Sequence, residues 1–144
     1  MVTSRLAWDW RASDRRVDER IASCPQYIAS RNAESERLKL TEKLTPLVEL
    51  ATLKEDEGAR IELNDRPPVA VFLHGGEVHV IDDLCTHGPA SLAEGFCEHG
   101  EIECPFHLGR FCLKSGNAVH APCHEPVAVH QVRIIDGVVY LVEN

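Results

Sequence analysis

Short apolar runs bounded by glycine and proline dominate the chain from Leu47 onward, and they predict β-strands. Gly75-Gly76 and Asp136-Gly137 are two-residue signals for hairpin turns between such runs. The predicted strands are Val48–Leu53, Ala59–Leu63, Val69–His74, Glu77–Ile81, Val127–Ile135 and Val138–Val142. This pattern indicates a mainly β fold built from antiparallel sheets.

The chain divides into three regions that differ in hydrophobic periodicity and amino-acid composition. Residues 1–30 show no clean period, and Asn32–Leu44 is compatible with a short helix ended by Pro46. We therefore expect an N-terminal extension over 1–45, either disordered or with a short helix, and one domain over 46–144. Within that domain, residues 82–126 are rich in Gly, Pro, Cys and His, and predict a loop-rich subdomain presented by the hairpins on either side.

Charge and hydropathy exclude several classes of partner. The 144 residues carry a formal net charge of −8, with about +2 on residues 1–45 and about −10 on 46–144. An acidic surface disfavours nucleic acid and anionic membranes. The chain has no apolar run of about 18 residues, as a membrane span needs, and its N-terminus lacks the apolar core of a secretory signal. We expect a cytoplasmic protein with reduced thiols.

Two mixed Cys/His pairs are the candidate metal ligands. Cys85 precedes His87 by two residues, and Cys104 precedes His107 by three. A 2Fe–2S cluster with two Cys on one iron and two His on the other requires this donor set. Zinc also accepts two Cys and two His, but classical fingers pair like with like. The mixed pairs favour the cluster, and a structural zinc-binding interaction module stays as the alternative.

The residues around these pairs resemble the Rieske family. The resemblance covers about residues 47–144 and rests on C-T-H-G-P at 85–89, C-P-F-H-L-G-R-F at 104–111 and S-G-N at 115–117. It implies a Rieske fold with one 2Fe–2S cluster per chain. Cys85 and Cys104 would bind the buried iron and His87 and His107 the outer one, with Pro122 in a loop that covers the cluster.

Departures from the respiratory type narrow the resemblance. Ala90 and Phe106 stand where that type has disulfide-forming cysteines, and Gly109 and Phe111 replace its Ser and Tyr donors. Fewer donors to sulfur imply a potential near the low end of the Rieske range, roughly −150 mV. The sequence most resembles biphenyl- and toluene-type ferredoxins of bacterial aromatic-ring-hydroxylating dioxygenases.

That resemblance implies an electron carrier rather than an enzyme. Its expected partners are an NAD(P)H-dependent flavoprotein ferredoxin reductase and a terminal oxygenase, and its expected state is a monomer. The alternatives within electron transfer are a small subunit of nitrite reductase and a ferredoxin for another monooxygenase. Such ferredoxins usually begin near Leu47, so residues 1–45 are either an appendage or lie upstream of the true start.

The remaining thiols and imidazoles carry weaker expectations. The four cysteines outside the pairs are interpreted as small buried or surface thiols, and a disulfide between Cys112 and Cys123 is disfavoured in a reducing compartment. The other six histidines are expected on strands or at the surface, with His124 the one that follows the proline-loop region. Leu108 and Pro89 are candidates for an apolar docking rim. The four cysteines are Cys24, Cys97, Cys112 and Cys123.

Overall fold

Antiparallel strands make up nearly all the regular structure of residues 43–143, the part of the chain that this computed structural model describes. Single 3₁₀ turns lie at Leu50–Thr52 and Leu92–Glu94. The strands are β1 (Lys43–Glu49), β2 (Gly58–Ile61), β3 (Val69–His74), β4 (Glu77–Asp82), β5 (Phe96–Glu98), β6 (Glu101–Glu103), β7 (Arg110–Cys112), β8 (Ala118–His120), β9 (Val129–His130), β10 (Val132–Ile135) and β11 (Val138–Glu143).

The strands form three sheets, ordered β1-β11-β10, β2-β3-β4-β9 and β5-β6-β7-β8. Both predicted hairpins are present: His74 pairs with Glu77 in one, and Ile135 pairs with Val138 in the other. Their turn residues have positive φ, 60° and 79° at Gly75-Gly76 and 51° and 79° at Asp136-Gly137. Those angles fit the right-handed twist of the strands, which is why glycine is favoured there.

The first strand differs from its prediction. The structure begins β1 at Lys43, so the last two residues of the predicted helix are strand, whereas residues 32–42 of that helix lie outside the described region. Pro46 lies inside β1, next to a register shift between Pro46 and Val48. A strand tolerates proline there because β1 is at the edge of its sheet and needs no donor on its outer side.

One predicted strand is divided in the structure, and the region predicted to be rich in loops also contains short strands. The run over Val127–Ile135 is split into β9 and β10, which belong to different sheets, so the chain crosses between sheets at Gln131. The region 82–126 contains four three-residue strands that form a sheet of their own. Strands of that length are too short to show a period of two in the sequence.

Strand β3 is buried on both of its faces. Val69, Val71 and Leu73 belong to one apolar core together with side chains of β4, β10 and β11. Ala70 and Phe72, on the opposite face, belong to a second core that includes the interior of the β5–β8 sheet. Because alternate residues point to opposite faces, a continuous apolar run is needed here. The β5–β8 sheet therefore rests on the same strand that holds the other core together.

Candidate metal centre

The first ligand loop follows β4 and places Cys85 inward and His87 outward. The Cys85 amide donates to the Ala90 carbonyl at 2.9 Å, and the Ala90 amide donates to the Gly88 carbonyl at 2.8 Å. Cys85 is 3% exposed, whereas His87 is exposed. The loop is thus a tight turn that separates a buried thiol from a solvent-facing imidazole two residues later.

The second ligand loop connects β6 to β7 and has the same polarity. The Cys104 amide donates to the Gly109 carbonyl at 2.8 Å, and the Leu108 amide donates to the Cys104 carbonyl at 3.1 Å. Leu108 adopts φ of 60°, which is uncommon for a residue with a side chain. Cys104 is 2% exposed and His107 is exposed.

The two loops bring like residues together. The Cys85 and Cys104 thiols are in hydrogen-bond contact, and the His87 and His107 rings have centroids 4.9 Å apart at 82°. Within residues 43–143, no three of these four ligand atoms lie within 4.8 Å of one another. A single tetrahedral ion would need them to converge. Two thiols at a buried end and two imidazoles at an exposed end suit a longer, two-metal centre.

The electrostatics of Cys104 show how buried this end is. Burial raises the pKa of the Cys104 thiol, and the contact with Cys85 adds to the rise. The backbone amides of Phe106 and His107 oppose it by donating to the sulfur. Amides aimed at a ligand sulfur stabilise negative charge there, which is a means of tuning an iron–sulfur centre.

Cys123 is a residue of this site that the sequence interpretation missed. It is 4% exposed, its thiol is hydrogen-bonded to Cys85, and burial together with the two neighbouring cysteines raises its pKa to about 11. A Cβ built on Gly109 would lie 2.3 Å from Cys123 Sγ. The Cys123 thiol therefore occupies the space that a side chain at position 109 would fill. Its place directly after Pro122, in the third loop, is the sequence signal that was available.

Asp83 fixes the base of the first loop. Its side chain is 2% exposed. Among residues 43–143, it is the one buried residue with a polar or charged side chain. Its Oδ1 accepts from Ser91 Oγ at 2.8 Å and from the Ala93 amide at 3.0 Å, and its Oδ2 lies 3.5 Å from Arg60 Nε. These bonds connect the chain on either side of the first ligand loop.

We expect Asp83→Ala to lower the free energy of unfolding by about 3 kcal/mol, because it leaves a half-buried hydroxyl and a half-buried amide without an acceptor and a half-exposed guanidinium without its carboxylate. Urea unfolding followed by circular dichroism measures this. The neighbouring Asp82→Ala is the matched control: Asp82 is 40% exposed and pairs with His130 at 2.6 Å, a pair worth about 1 kcal/mol or less. Equal losses in the two variants would contradict the role given to Asp83.

An apolar rim surrounds the exposed imidazoles. Leu108 is 60% exposed and Phe106 58%, and the Phe106 ring lies 6.3 Å from that of His107. Pro89 is also exposed. The predicted rim residues, Leu108 and Pro89, are thus at the surface, and Phe106 extends the rim.

The other cysteines and histidines are placed as follows. Cys97, Cys112 and Cys123 are free thiols in the described region, so no disulfide joins Cys112 to Cys123, and Cys24 lies outside that region. His124 is exposed. His74 ends β3, as expected of a strand histidine, but it also contacts Asp56.

Comparison with known proteins decides the family. A sequence profile of the Rieske [2Fe-2S] domain matches residues 43–132. The chain belongs to this family. As a Rieske protein it is 43% identical over 92 residues to the anthranilate 1,2-dioxygenase ferredoxin subunit of Burkholderia cepacia, a match that spans 64% of this chain and 84% of that relative.

Solved Rieske structures agree with this assignment. The ferredoxin of Sphingomonas yanoikuyae B1 is 37% identical, with a TM-score of 0.69 over 71% of this chain and all of that one. A chain from the complex of reduced oxygenase and oxidized ferredoxin in carbazole 1,9a-dioxygenase is 32% identical, with a TM-score of 0.66 over 69% and 92% of the two chains. The predictions of a Rieske fold, a 2Fe–2S cofactor and a dioxygenase-type ferredoxin are confirmed.

The site fits the cofactor that the family implies. The candidate donors are two buried thiols in contact and two exposed imidazoles in contact, which is the division that a Rieske cluster requires. Within residues 43–143, the structure contains no helix with the length and apolar character that crossing a bilayer demands.

Proposed function

We propose that Cys85 and Cys104 hold the inner iron of the 2Fe–2S cluster and that His87 and His107 hold the outer one. The supporting observation is that each like pair is in contact, although its members are 19 and 20 residues apart in the sequence. When bound, the cluster supplies one-electron redox chemistry. The protein supplies burial of the thiols, amides directed at Cys104, and exposure of both rings.

The function that this arrangement supports is one-electron transfer between protein partners. We infer that the chain accepts an electron from an NAD(P)H-dependent flavoprotein reductase and passes it to the terminal oxygenase of an aromatic-ring-hydroxylating dioxygenase. The exposed rings of His87 and His107 are the route of shortest distance from the site to a docked partner. The protein itself leaves the aromatic substrate unchanged, as expected of a ferredoxin subunit.

The surface around the rings suits brief encounters. Transient redox complexes bury little area, and an apolar rim of Phe106, Leu108 and Pro89 offers a small docking patch around the imidazoles. The whole chain has a net charge of −8. This negative charge would steer the protein toward basic patches on its partners. We place this exchange in the cytoplasm, with the carrier acting as a monomer.

An anaerobic redox titration, followed by electron paramagnetic resonance of the reduced protein, tests the carrier function. We expect a rhombic 2Fe–2S signal with a midpoint of roughly −150 mV. A midpoint well above zero would point to a respiratory-type role. A protein that contains zinc and gives no signal would overturn the electron-transfer function and favour the alternative, a structural zinc-binding interaction module.

Cys123 is expected to raise the potential of this centre. Because Cys85 would be a thiolate when it binds iron, the Cys123 S–H must be the donor in their hydrogen bond. A donor to ligand sulfur favours the more negative, reduced state. We expect Cys123→Ala to lower the midpoint by on the order of 40 mV, which corresponds to about 1 kcal/mol of hydrogen-bond energy for one electron.

Two matched variants make this measurement specific. Cys123→Ser keeps a donor and should leave the midpoint at or above that of the unmodified protein. Cys112→Ala removes a half-buried thiol on β7 that is hydrogen-bonded to Ser115, and should leave the midpoint unchanged. An alanine variant at position 123 with an unaltered midpoint would show that the thiol does not act on the cluster.

A further inference from the structure

A second set of metal-binding side chains lies away from the cluster loops. Asp56, His74 and Cys97 each offer one ligand atom, and these three atoms all lie within 4.8 Å of one another. His74 Nδ1 is 2.5 Å from Asp56 Oδ1, and Cys97 Sγ is 3.5 Å from the same oxygen. Within the described residues 43–143, no other group of three or more His, Cys, Asp or Glu side chains places its ligand atoms this close together.

The three residues come from separate parts of the fold. Asp56 lies in the turn before β2, His74 ends β3, and Cys97 is the middle residue of β5. Asp56 and Cys97 are 41 positions apart, so nothing in the local sequence pairs them. The trio lies where the β2–β3 end of one sheet meets the β5–β8 sheet, so a bound ion would join the two sheets.

The donor types and spacings fit zinc. Zinc binds thiolate sulfur at about 2.3 Å and imidazole nitrogen or carboxylate oxygen at about 2.0 Å in tetrahedral geometry, which sets neighbouring ligand atoms about 3.5 Å apart. The Cys97–Asp56 separation already has that value. The Asp56–His74 hydrogen bond is shorter, and would open by about 1 Å when a cation replaces its proton.

We propose that Asp56, His74 and Cys97 form a binding site for a divalent cation of the Zn²⁺ type, separate from the iron–sulfur centre. Three protein ligands leave one position open, as in zinc sites that also bind water. The ion reaches the site from solvent, because the His74 side chain is 29% exposed and that of Asp56 42%. The proposal does not depend on the proposed electron-transfer function.

The backbone around the trio is fixed before any ion binds. The Asp56 amide donates to the Leu73 carbonyl at 2.9 Å, and Asp56 adopts a positive φ of 61°. The Gly75 amide donates to a Glu55 carboxylate oxygen at 2.5 Å, which holds the turn that follows His74. A preformed arrangement lowers the entropic cost of binding.

Cys97 carries the proton that binding must release. Burial and, next, the nearby Asp56 carboxylate together raise the pKa of the Cys97 thiol to about 12. A divalent cation reverses this effect, because it lies closer to the sulfur than the carboxylate does and favours the thiolate. Binding therefore releases the Cys97 proton, and any proton shared between Asp56 and His74, to solvent. No oxidation or reduction is involved.

The test is equilibrium dialysis of the iron-loaded protein against micromolar Zn²⁺, with zinc and iron per chain counted in the same sample. We expect one zinc in addition to two irons. Cys97→Ser and His74→Gln should each weaken zinc binding by on the order of 100-fold or more, because losing a ligand costs at least as much as losing a residue that only supports one, roughly 10–100-fold. The iron content should stay at two. Cys97→Ser preserves the volume of the buried side chain, so that loss of the fold does not explain the result.

The matched control is His130→Gln. His130 Nε2 lies 2.6 Å from Asp82 Oδ1, so this is a second carboxylate–imidazole pair of similar length that has no thiol beside it in the described region. It should leave zinc binding unchanged. The proposed site would be overturned if the dialysed protein contained two irons but no bound zinc, or if Cys97→Ser still bound zinc as the unmodified protein does. Loss of iron with zinc bound would instead show displacement at the cluster, and also counts against it.

Discussion

Cys104→Ala is expected to yield protein with little or no iron and no 2Fe–2S signal in the reduced state. Cys104 is 2% exposed and lies between β6 and β7, with its amide bonded to the Gly109 carbonyl. On the proposed assignment, a methyl group in its place would leave the inner iron with one thiolate in an apolar pocket. Iron per chain and the amplitude of the electron paramagnetic resonance signal measure the effect.

Cys123 makes a second variant necessary, because its thiol is already beside Cys85 and close to Cys104. It is the one nearby sulfur, within the described residues, that could replace the missing ligand. Cys104→Ala with Cys123→Ala removes that replacement and should lose the cluster completely. Cys112→Ala, in the next strand, should keep two irons. A full iron content in the double variant would show that Cys104 is not a ligand.

His87→Cys is expected to keep a cluster and to lower its midpoint by on the order of 100 mV or more. An additional thiolate makes the cluster more negative. Plant-type ferredoxins, whose cluster has four cysteine ligands, have potentials of roughly −400 mV, whereas the lowest Rieske potentials are roughly −150 mV. His87 is exposed and its ring is 4.9 Å from that of His107, so a smaller side chain fits without a clash. Redox titration measures the shift.

The control for this variant is His99→Cys. The His99 side chain is 83% exposed, and its partner is the Glu98 carboxylate 3.7 Å away rather than any residue of the ligand loops. Its midpoint should equal that of the unmodified protein. If His87→Cys also keeps that midpoint, His87 does not bind the cluster and the assignment of the outer iron fails.

The parts of the fold that could be predicted from sequence are those with local causes. The turn glycines at Gly75-Gly76 and the apolar run of β3 gave that hairpin its correct place, because turn geometry and burial act over a few residues. The sheet β5–β8 was missed, because three-residue strands have no detectable period. The crossing at Gln131 was missed for another reason: it depends on which sheet each half joins, and that is decided by distant partners.

The same distinction applies to the site. The two Cys/His pairs were visible because each loop places its own thiol and imidazole a few residues apart. Asp83 and Cys123 were not, since an aspartate before a loop and a cysteine after a proline are common, and their importance comes from burial and contacts across the fold. The trio of Asp56, His74 and Cys97 is the extreme case, because it exists only once two sheets have met.

The contact between Gly109 and Cys123 limits how this chain can diverge. A Cβ at position 109 would lie 2.3 Å from Cys123 Sγ and 3.2 Å from Cys123 Cβ, so the two positions share one volume. A homologue with any side chain at 109 must have a smaller residue at 123, and one with a bulky residue at 123 must keep glycine at 109. The two positions should therefore covary: enlarging residue 109 first would overpack the site, whereas shrinking residue 123 first would leave a small cavity.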